Sequence, residues 1–299
     1  MPSTSVVFGS PASPGLTLAP WRRGSGDPCN RVCADGTIWR TSAMKSGPVT
    51  ARITKSAPDT VDCEAWGAGS AEFLDGFSAL VGAEDDAAAF DPVEPTIAEA
   101  HRRVPHLRLG RSGLILEALV PAIIEQRVSG MDAWRAWRRL VTKYGAPAPG
   151  PAPVGMRVAP TGDIWRRIPS WEFHRANVDP GRARTIVGCA QRADALERLT
   201  AERAVTALRS LPGIGEWTAA ETVQRAFGDA DALSVGDYHL ATMVGRSLLG
   251  RPIDDAAMVE LLEPLRPHRQ RAVRLLEASG LAHNPRFGAR QAIPNLRAL

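Results

Sequence analysis

The sequence predicts a mostly α protein led by a small antiparallel, β-rich α+β domain. Three observations carry this. Between Leu16 and Gly67 short apolar runs (LTLAPW, TIWRTSAM, VTARITKSA, TVDCEAW) alternate with turn signals such as Ala34-Asp35-Gly36 and Ser46-Gly47-Pro48. After Thr96 apolar, helix-compatible segments follow one another with short loops. Between the two lies AEDDAAAFDPVEP, an acidic, proline-bearing stretch near residues 83–95 that reads as a linker. The predicted domains are therefore residues 1–95 and residues 96–299.

The elements follow in order. Residues 1–15 are small and polar and read as a frayed tail, residues 16–66 as the sheet, and SAEFLDGFSALVG (70–82) as a helix capped by Ser70. In the second domain GLILEALVPAIIEQRVSGMDAWRAWRRLVTKYG (113–145) reads as an apolar helix, a break at Ser129-Gly130 and an amphipathic helix. A Pro/Gly-rich connector, APAPGPAPVGMRVAP, occupies 146–160. Helical segments are expected at 161–168, 180–192, 200–210, 216–227, 236–249, 254–263 and 267–279.

Composition narrows the function classes without selecting one. The 299 residues carry a formal net charge of +4, with 44% hydrophobic and 23% charged residues, an ordinary balance for a soluble protein. Nearly all of the basic residues are arginine. Between His101 and Gly145 nine of them stand against Glu117, Glu125 and Asp132, a local excess that suits either a solvated helical face or a phosphate-facing surface. The four cysteines, Cys29, Cys33, Cys63 and Cys189, lack the spacing of a zinc site and are expected to be reduced. No apolar run reaches membrane-spanning length, and the N-terminal residues lack a signal-peptide pattern. A soluble, cytoplasmic protein is expected.

The most informative stretch is LRSLPGIGEWTAAE (208–221). Two helical segments meet at Pro-Gly-Ile-Gly, where glycines permit positive φ and remove side-chain bulk. The second helix starts near Gly215, so its first backbone N–H groups point outward and can receive an anion. A DNA phosphate held there would position the duplex without reading sequence; an ordinary helical hairpin turn fits the same four residues. About twenty residues on, Asp237 precedes another apolar helix, where it can be a plain N-cap.

The hairpin followed by Trp217-Thr218-Ala219, and an aspartate at this interval ahead of a helix, resembles the helix-hairpin-helix DNA glycosylase superfamily. Within it the sequence is most similar to the 3-methyladenine DNA glycosylase II, or AlkA-like, branch. The likeness spans roughly residues 100–280. It takes in AIIEQRVSG (122–130), NVDPGRARTIVGCA (177–190), the hairpin, VGDYHL (235–240) and LRPHRQRAVRLL (265–276). It implies a two-lobed helical glycosylase domain behind the β-rich one and double-stranded DNA with damaged bases as partner. A monomer is the default, since excision needs one pocket and one hairpin.

The resemblance also assigns roles. Asp237 would be the catalytic carboxylate, stabilising positive charge on the sugar as the N-glycosidic bond breaks. Bifunctional relatives carry a lysine two residues after the second hairpin glycine. Here that position is Trp217, which implies a monofunctional hydrolase that leaves an abasic site. Trp217 would instead offer a π-face to an electron-poor base. Leu211, Gly213, Ile214, Gly215 and Thr218 would grip the DNA backbone, Thr218 through its hydroxyl. Gln126 or Arg127 would fill the gap left by the flipped base, Arg127 being the better placed. Tyr238 reads as a packing or sugar-side residue and His239 as structural. A monovalent cation, Na or K, on the carbonyls of Arg209, Leu211 and Ile214 is implied as well. No cysteine follows Cys189, so no iron–sulfur cluster is expected. Two positions depart from the branch: Glu221 stands where a pocket tyrosine is usual, and His268 where a second pocket tryptophan is. Glu221 could bind an exocyclic amine, hold Arg225 or face solvent, and His268 could stack on a base or lie at the surface. This leaves open a glycosylase for deaminated or oxidised bases, or a catalytically silent binder of damaged DNA.

Overall fold

The structure, a computed structural model, describes residues 2–283; residues 284–299 of the predicted helical domain lie outside the described residues. In the first domain β1 (Ser3–Val7) and α1 (Pro14–Leu18) precede β2 (Asn30–Val32), β3 (Ile38–Met44), β4 (Gly47–Ala57) and β5 (Thr60–Trp66). The strands form one antiparallel sheet in the order β1-β5-β4-β3-β2. Every second residue of the central strands faces inward: Val49, Ala51 and Ile53 on β4, Val61, Cys63 and Ala65 on β5. This is the period of two that half-buried strands require. Two short helices, α2 (Ser70–Asp75) and α3 (Phe77–Leu80), cover that face with Phe73, Phe77 and Leu80.

Three expectations for this domain are corrected. The tail is an edge strand, because Ser3–Val7 pairs along Thr60–Glu64 and its backbone groups find ladder partners. LTLAPW is not a strand: α1 and a 3₁₀ turn at Ala19–Trp21 occupy it, begun by Pro14, whose missing N–H costs nothing in a first turn. The helix at 70–82 breaks at Gly76, and Ser70 is not its cap, since its hydroxyl donates back to the Gly67 carbonyl at 2.6 Å.

The helical part forms two lobes. α4 (Pro95–Arg103) leads from the sheet; then come α5 (Ile115–Glu125), α6 (Gly130–Tyr144), the short pair β6 (Ala146–Pro147) and β7 (Arg157–Val158), α7 (Gly162–Trp165), α8 (Ser170–Arg175), α9 (Pro180–Ala190), α10 (Ala193–Leu196), α11 (Ala201–Arg209) and α12 (Glu216–Ala226). α13 (Leu240–Leu249), α14 (Asp255–Leu262) and α15 (Arg269–Ser279) complete the described chain. Helices α5 to α12 share one core centred on α5, whose residues from Ile115 to Ile124 are buried except Glu117, as expected of a helix apolar on nearly all sides. α4 does not belong to that core. Ile97 and Ala100 pack with Leu240, Val244, Met258, Leu262 and Leu276, so the second lobe is assembled from both ends of the helical part.

The predicted linker is pinned rather than free. Phe90 is buried in the second lobe, and Asp85 takes a two-pronged ion pair from Arg271 of α15. The sheet domain is likewise tied to the first lobe: Trp137 Nε1 donates to Asp27 at 3.1 Å, Arg23 meets Glu125 at 3.1 Å, and Arg40 pairs with Glu117 of α5.

Candidate active site

A cleft of about 1630 Å³ opens where the sheet domain and both lobes meet. The hairpin forms one rim. Ile214 is buried and Leu211 packs against the same core, so two apolar side chains anchor the turn and leave Gly213 and Gly215 exposed. Gly213 has φ +84°, and a Cβ there would lie 2.2 Å from Thr185 Oγ1, so both conformation and close approach demand glycine. At Gly215 a Cβ would meet nothing within 4 Å. No side chain caps α12 at Gly215, so the amides of its first turn have no side-chain acceptor, an arrangement that can receive an anion. The Thr218 side chain is 2% exposed, and its Oγ1 accepts Gln126 Nε2 at 2.9 Å.

Asp237 also lines the cleft. Oδ1 accepts the amides of His239 at 2.8 Å and Leu240 at 3.1 Å, which makes Asp237 the working cap of α13 although the helix begins three residues later. Oδ2 accepts Trp217 Nε1 at 3.2 Å. The two residues picked from sequence twenty positions apart are thus hydrogen-bonded, and three N–H groups fix the carboxylate's orientation. Tyr238 is 67% exposed at the cleft rim, with His239 edge-on to it at 4.9 Å.

The loop after α5 faces the hairpin. Gln126 Nε2 also donates to the Gly213 carbonyl at 3.0 Å, which ties this loop to the turn and occupies the side chain. Arg127 is exposed and holds φ +55°, a left-handed conformation uncommon for a residue with a Cβ. Of the two wedge candidates only Arg127 projects freely.

Behind Trp217 the cleft wall is ionic. Glu221 meets Arg225 at 2.7 Å, accepts the Ser234 hydroxyl and lies in the field of Arg23. Burial alone would raise its carboxyl, but Arg225, Ser234 and Arg23 outweigh burial and hold it below its usual range. Arg225 Nε in turn donates to the Pro20 carbonyl at 2.9 Å, joining α12 to the sheet domain. Glu221 therefore lines the cleft while holding Arg225, the second of the three readings its sequence position allowed.

His268 is not in the cleft. Its ring lies tilted against Phe90 at 5.1 Å and accepts Arg271 Nε at 3.2 Å, and burial followed by the Arg271 charge lowers its pKa. The reason is helical phase: His268 precedes α15, whose cleft face is Gln270, Arg274 and Glu277, at i, i+4 and i+7. Those three were missed, though that spacing is in the sequence. Trp21 was missed as well, since nothing local marks a residue of the sheet domain as part of this cleft.

None of the three lysines lines the cleft; Lys143 pairs with Glu172 at 2.8 Å. Cys189 does line it, but burial pushes its thiol up to about 11, away from nucleophilic use. Among the described residues no group of three or more His, Cys, Asp or Glu side chains could hold a metal, and no helix is long and apolar enough to cross a membrane.

No family profile matches the chain. The probable bifunctional transcriptional activator/DNA repair enzyme AlkA of Mycobacterium tuberculosis is 32% identical over 195 residues, 61% of this chain and 37% of the relative. The chain thus spans well under half the length of the curated relative it matches. Among solved structures, a 3-methyladenine DNA glycosylase from Archaeoglobus fulgidus superposes with a TM-score of 0.73 at 17% identity, covering 93% of this chain and 98% of the other. The apo form of the Clostridium acetobutylicum 8-oxoguanine glycosylase/lyase gives 0.70 at 13% identity, covering 93% and 96%.

Proposed function

We propose that this chain, whose fold is that of the helix-hairpin-helix DNA glycosylases and whose sequence resembles their AlkA-like branch, is a monofunctional DNA glycosylase for alkylated purines of the 3-methyladenine type. It extrudes the damaged base from duplex DNA, hydrolyses the N-glycosidic bond and leaves an abasic site for base excision repair. The observation that carries this reading is the Trp217–Asp237 hydrogen bond beside the uncapped hairpin, which puts an oriented carboxylate next to an aromatic face and a phosphate seat.

The roles follow from that geometry. The amides at the start of α12 hold a phosphate, with Gly213 and Gly215 giving the backbone room. Arg127 enters the stack as the base leaves. The extruded base meets Trp217, and unstacking favours damaged or weakly paired bases. As the bond breaks, Asp237 stabilises the positive sugar and orients the attacking water. A cationic methylpurine leaves readily, so no strong general acid is needed. The absence of lysine from the cleft lining supports hydrolysis over Schiff-base chemistry.

The cation implied at the hairpin would take backbone carbonyls of Arg209, Leu211 and Ile214. These are oxygen donors of the right kind, the Leu211 carbonyl also accepting the Ile214 amide at 3.1 Å. Bound there, a monovalent ion would add positive charge beside the phosphate. The protein acts as a monomer in the cytoplasm. A second reading, excision of oxidised bases, draws support from the likeness to the 8-oxoguanine glycosylase/lyase fold.

The test is release of methylated purines from duplex DNA, scored before and after alkali, with wild type and Asp237→Asn. Wild type is expected to release base and leave strands intact until alkali, and the variant to bind without releasing. Strand nicking without alkali would contradict the monofunctional reading.

A further inference from the structure

Asp237 and the hairpin belong to different cores. Ala219, Val223 and Ala226 of α12 pack in the first lobe, whereas Leu233 and Leu240, on either side of Asp237, pack in the second. The carboxylate's place relative to the phosphate seat therefore depends on ties across that boundary. The crossing segment, residues 227–239, has no helix or strand of its own. At the end remote from Asp237 it is held by α15: the Ala230 carbonyl accepts the Arg271 amide at 3.0 Å, and Asp231 takes Arg269 at 2.6 Å. At the end next to Asp237 it is held by α12, through Gln224.

Gln224 Nε2 donates to the Ala232 carbonyl at 2.8 Å and to Ser234 Oγ at 3.0 Å. Chemistry fixes the direction of both bonds. A carbonyl only accepts, and the single Ser234 hydroxyl proton goes to Glu221, which leaves Oγ as an acceptor. Ser234 is 4% exposed, and its carbonyl accepts the Asp237 amide at 3.1 Å. That bond closes a four-residue turn in which Gly236 takes φ +88°. Gln224 thus grips the first residue of a turn whose last residue carries the carboxylate. Trp217, Glu221 and Gln224 stand at i, i+4 and i+7 on α12, and all three line the cleft. About 10 Å of one helix therefore holds the carboxylate through Trp217 and the backbone behind it through Gln224, with the phosphate seat at its start.

We propose that Gln224 is a positioning residue: by clamping Ala232 and Ser234 to α12, it sets the distance between Asp237 and the phosphate held at the start of the same helix. The role needs no contact with the base or the sugar. A misplacement of about 1 Å can cost about a hundredfold in rate. The Trp217 bond cannot fix that distance alone. It falls on Oδ2, the oxygen left for the reacting sugar once Oδ1 has taken the His239 and Leu240 amides. The Gln224 bonds lie on the backbone and hydroxyl behind the carboxylate and do not compete with substrate. This inference rests on the proposed glycosylase reading, with Asp237 as the carboxylate of the reaction.

The experiment compares wild type with Gln224→Met, which keeps the length and loses both donated bonds, and Ser234→Ala, which loses one of the two. Base release from a duplex carrying methylated purines is measured in single turnover over a range of enzyme concentrations, so that binding and the rate at saturation separate. Affinity for an abasic duplex and the urea midpoint report backbone grip and folding. The indole N–H signal of Trp217 in a proton–nitrogen NMR spectrum, identified by its loss in Trp217→Phe, reports the Trp217–Asp237 bond without catalysis. Gln224→Met is expected to lower the saturating rate about tenfold or more, and Ser234→Ala to lower it less, both with abasic-duplex affinity within about twofold of wild type. Both should move the Trp217 signal toward its position in Asp237→Asn. If Gln224→Met does not fold, Ser234→Ala carries the same readings. An unchanged saturating rate, a rate loss matched by an equal loss of abasic-duplex affinity, or an unmoved Trp217 signal would overturn the proposal. If wild type releases no base, the glycosylase reading fails, and the clamp is judged from the Trp217 signal: movement in the variants supports it, and its absence overturns it.

Discussion

Replacing Glu221 by leucine removes one half of an ion pair whose members are only 15% and 13% exposed. The change keeps side-chain bulk but strips Arg225 of its 2.7 Å partner and the Ser234 hydroxyl of its acceptor, while Arg23 nearby keeps its ion pair with Glu125. Removing one member of a buried pair costs about 3–5 kcal/mol. Partial exposure and the bond from Arg225 to the Pro20 carbonyl, which survives, put this case near the lower end, about 3 kcal/mol. For a chain of this size that corresponds to roughly 6–12 °C in the thermal midpoint. Arg225→Met should cost about as much. The double variant should cost little more than either single one, since no uncompensated charge is left, giving a coupling energy of about 2–3 kcal/mol. Urea denaturation of the four proteins at pH 7, with the slope m compared between them, measures this directly. A coupling below about 0.5 kcal/mol would refute the reading of Glu221 as a structural partner of Arg225. A Glu221→Leu protein as stable as wild type yet unable to release base would restore Glu221 to the base-reading role.

Two further outcomes are expected. Gly213→Ala should fold but lose DNA affinity at least tenfold in a fluorescence-anisotropy titration, because φ +84° and a 2.2 Å approach to Thr185 Oγ1 force the turn to shift; unchanged affinity would show that the turn does not seat the phosphate. Acid should destabilise the protein through carboxylates that folding holds below their ordinary values. Glu221 is lowered because Arg225 and Ser234 outweigh burial, and Asp231 because Arg269 does so. The unfolded chain therefore takes up protons first as pH falls. This stabilisation is complete above the ordinary values of 4.5 and 3.8 and is lost as pH drops below them through the folded values. Urea midpoints between pH 7 and pH 3 should fall in that window, and Asp231→Asn should flatten the decline.

Local chemistry was legible in the sequence. The two-glycine turn, the helix that follows it, Trp217 and Asp237 can be read without a fold, because backbone conformation and helix-end amides depend on residues a few positions apart. The strand alternation of residues 37–66 and the apolar α5 are legible for the same reason. What needed the tertiary structure were the encounters between distant segments. Residues 3–7 become a strand only because β5 offers an unpaired edge. The acidic stretch is not a spacer because Arg271, 186 positions after Asp85, claims that carboxylate. His268 leaves the cleft and Gln270 enters it because packing on Phe90 sets the rotation of α15, which side-chain type does not reveal. Trp21 reaches a cleft made by residues two hundred positions away because Arg225 binds the Pro20 carbonyl. Sequence alone determined which groups could hold a phosphate and stabilise a cation, since those capacities belong to the residues and their near neighbours. Only the folded chain decided which side chains stand beside them, since that depends on how three cores pack around one cleft.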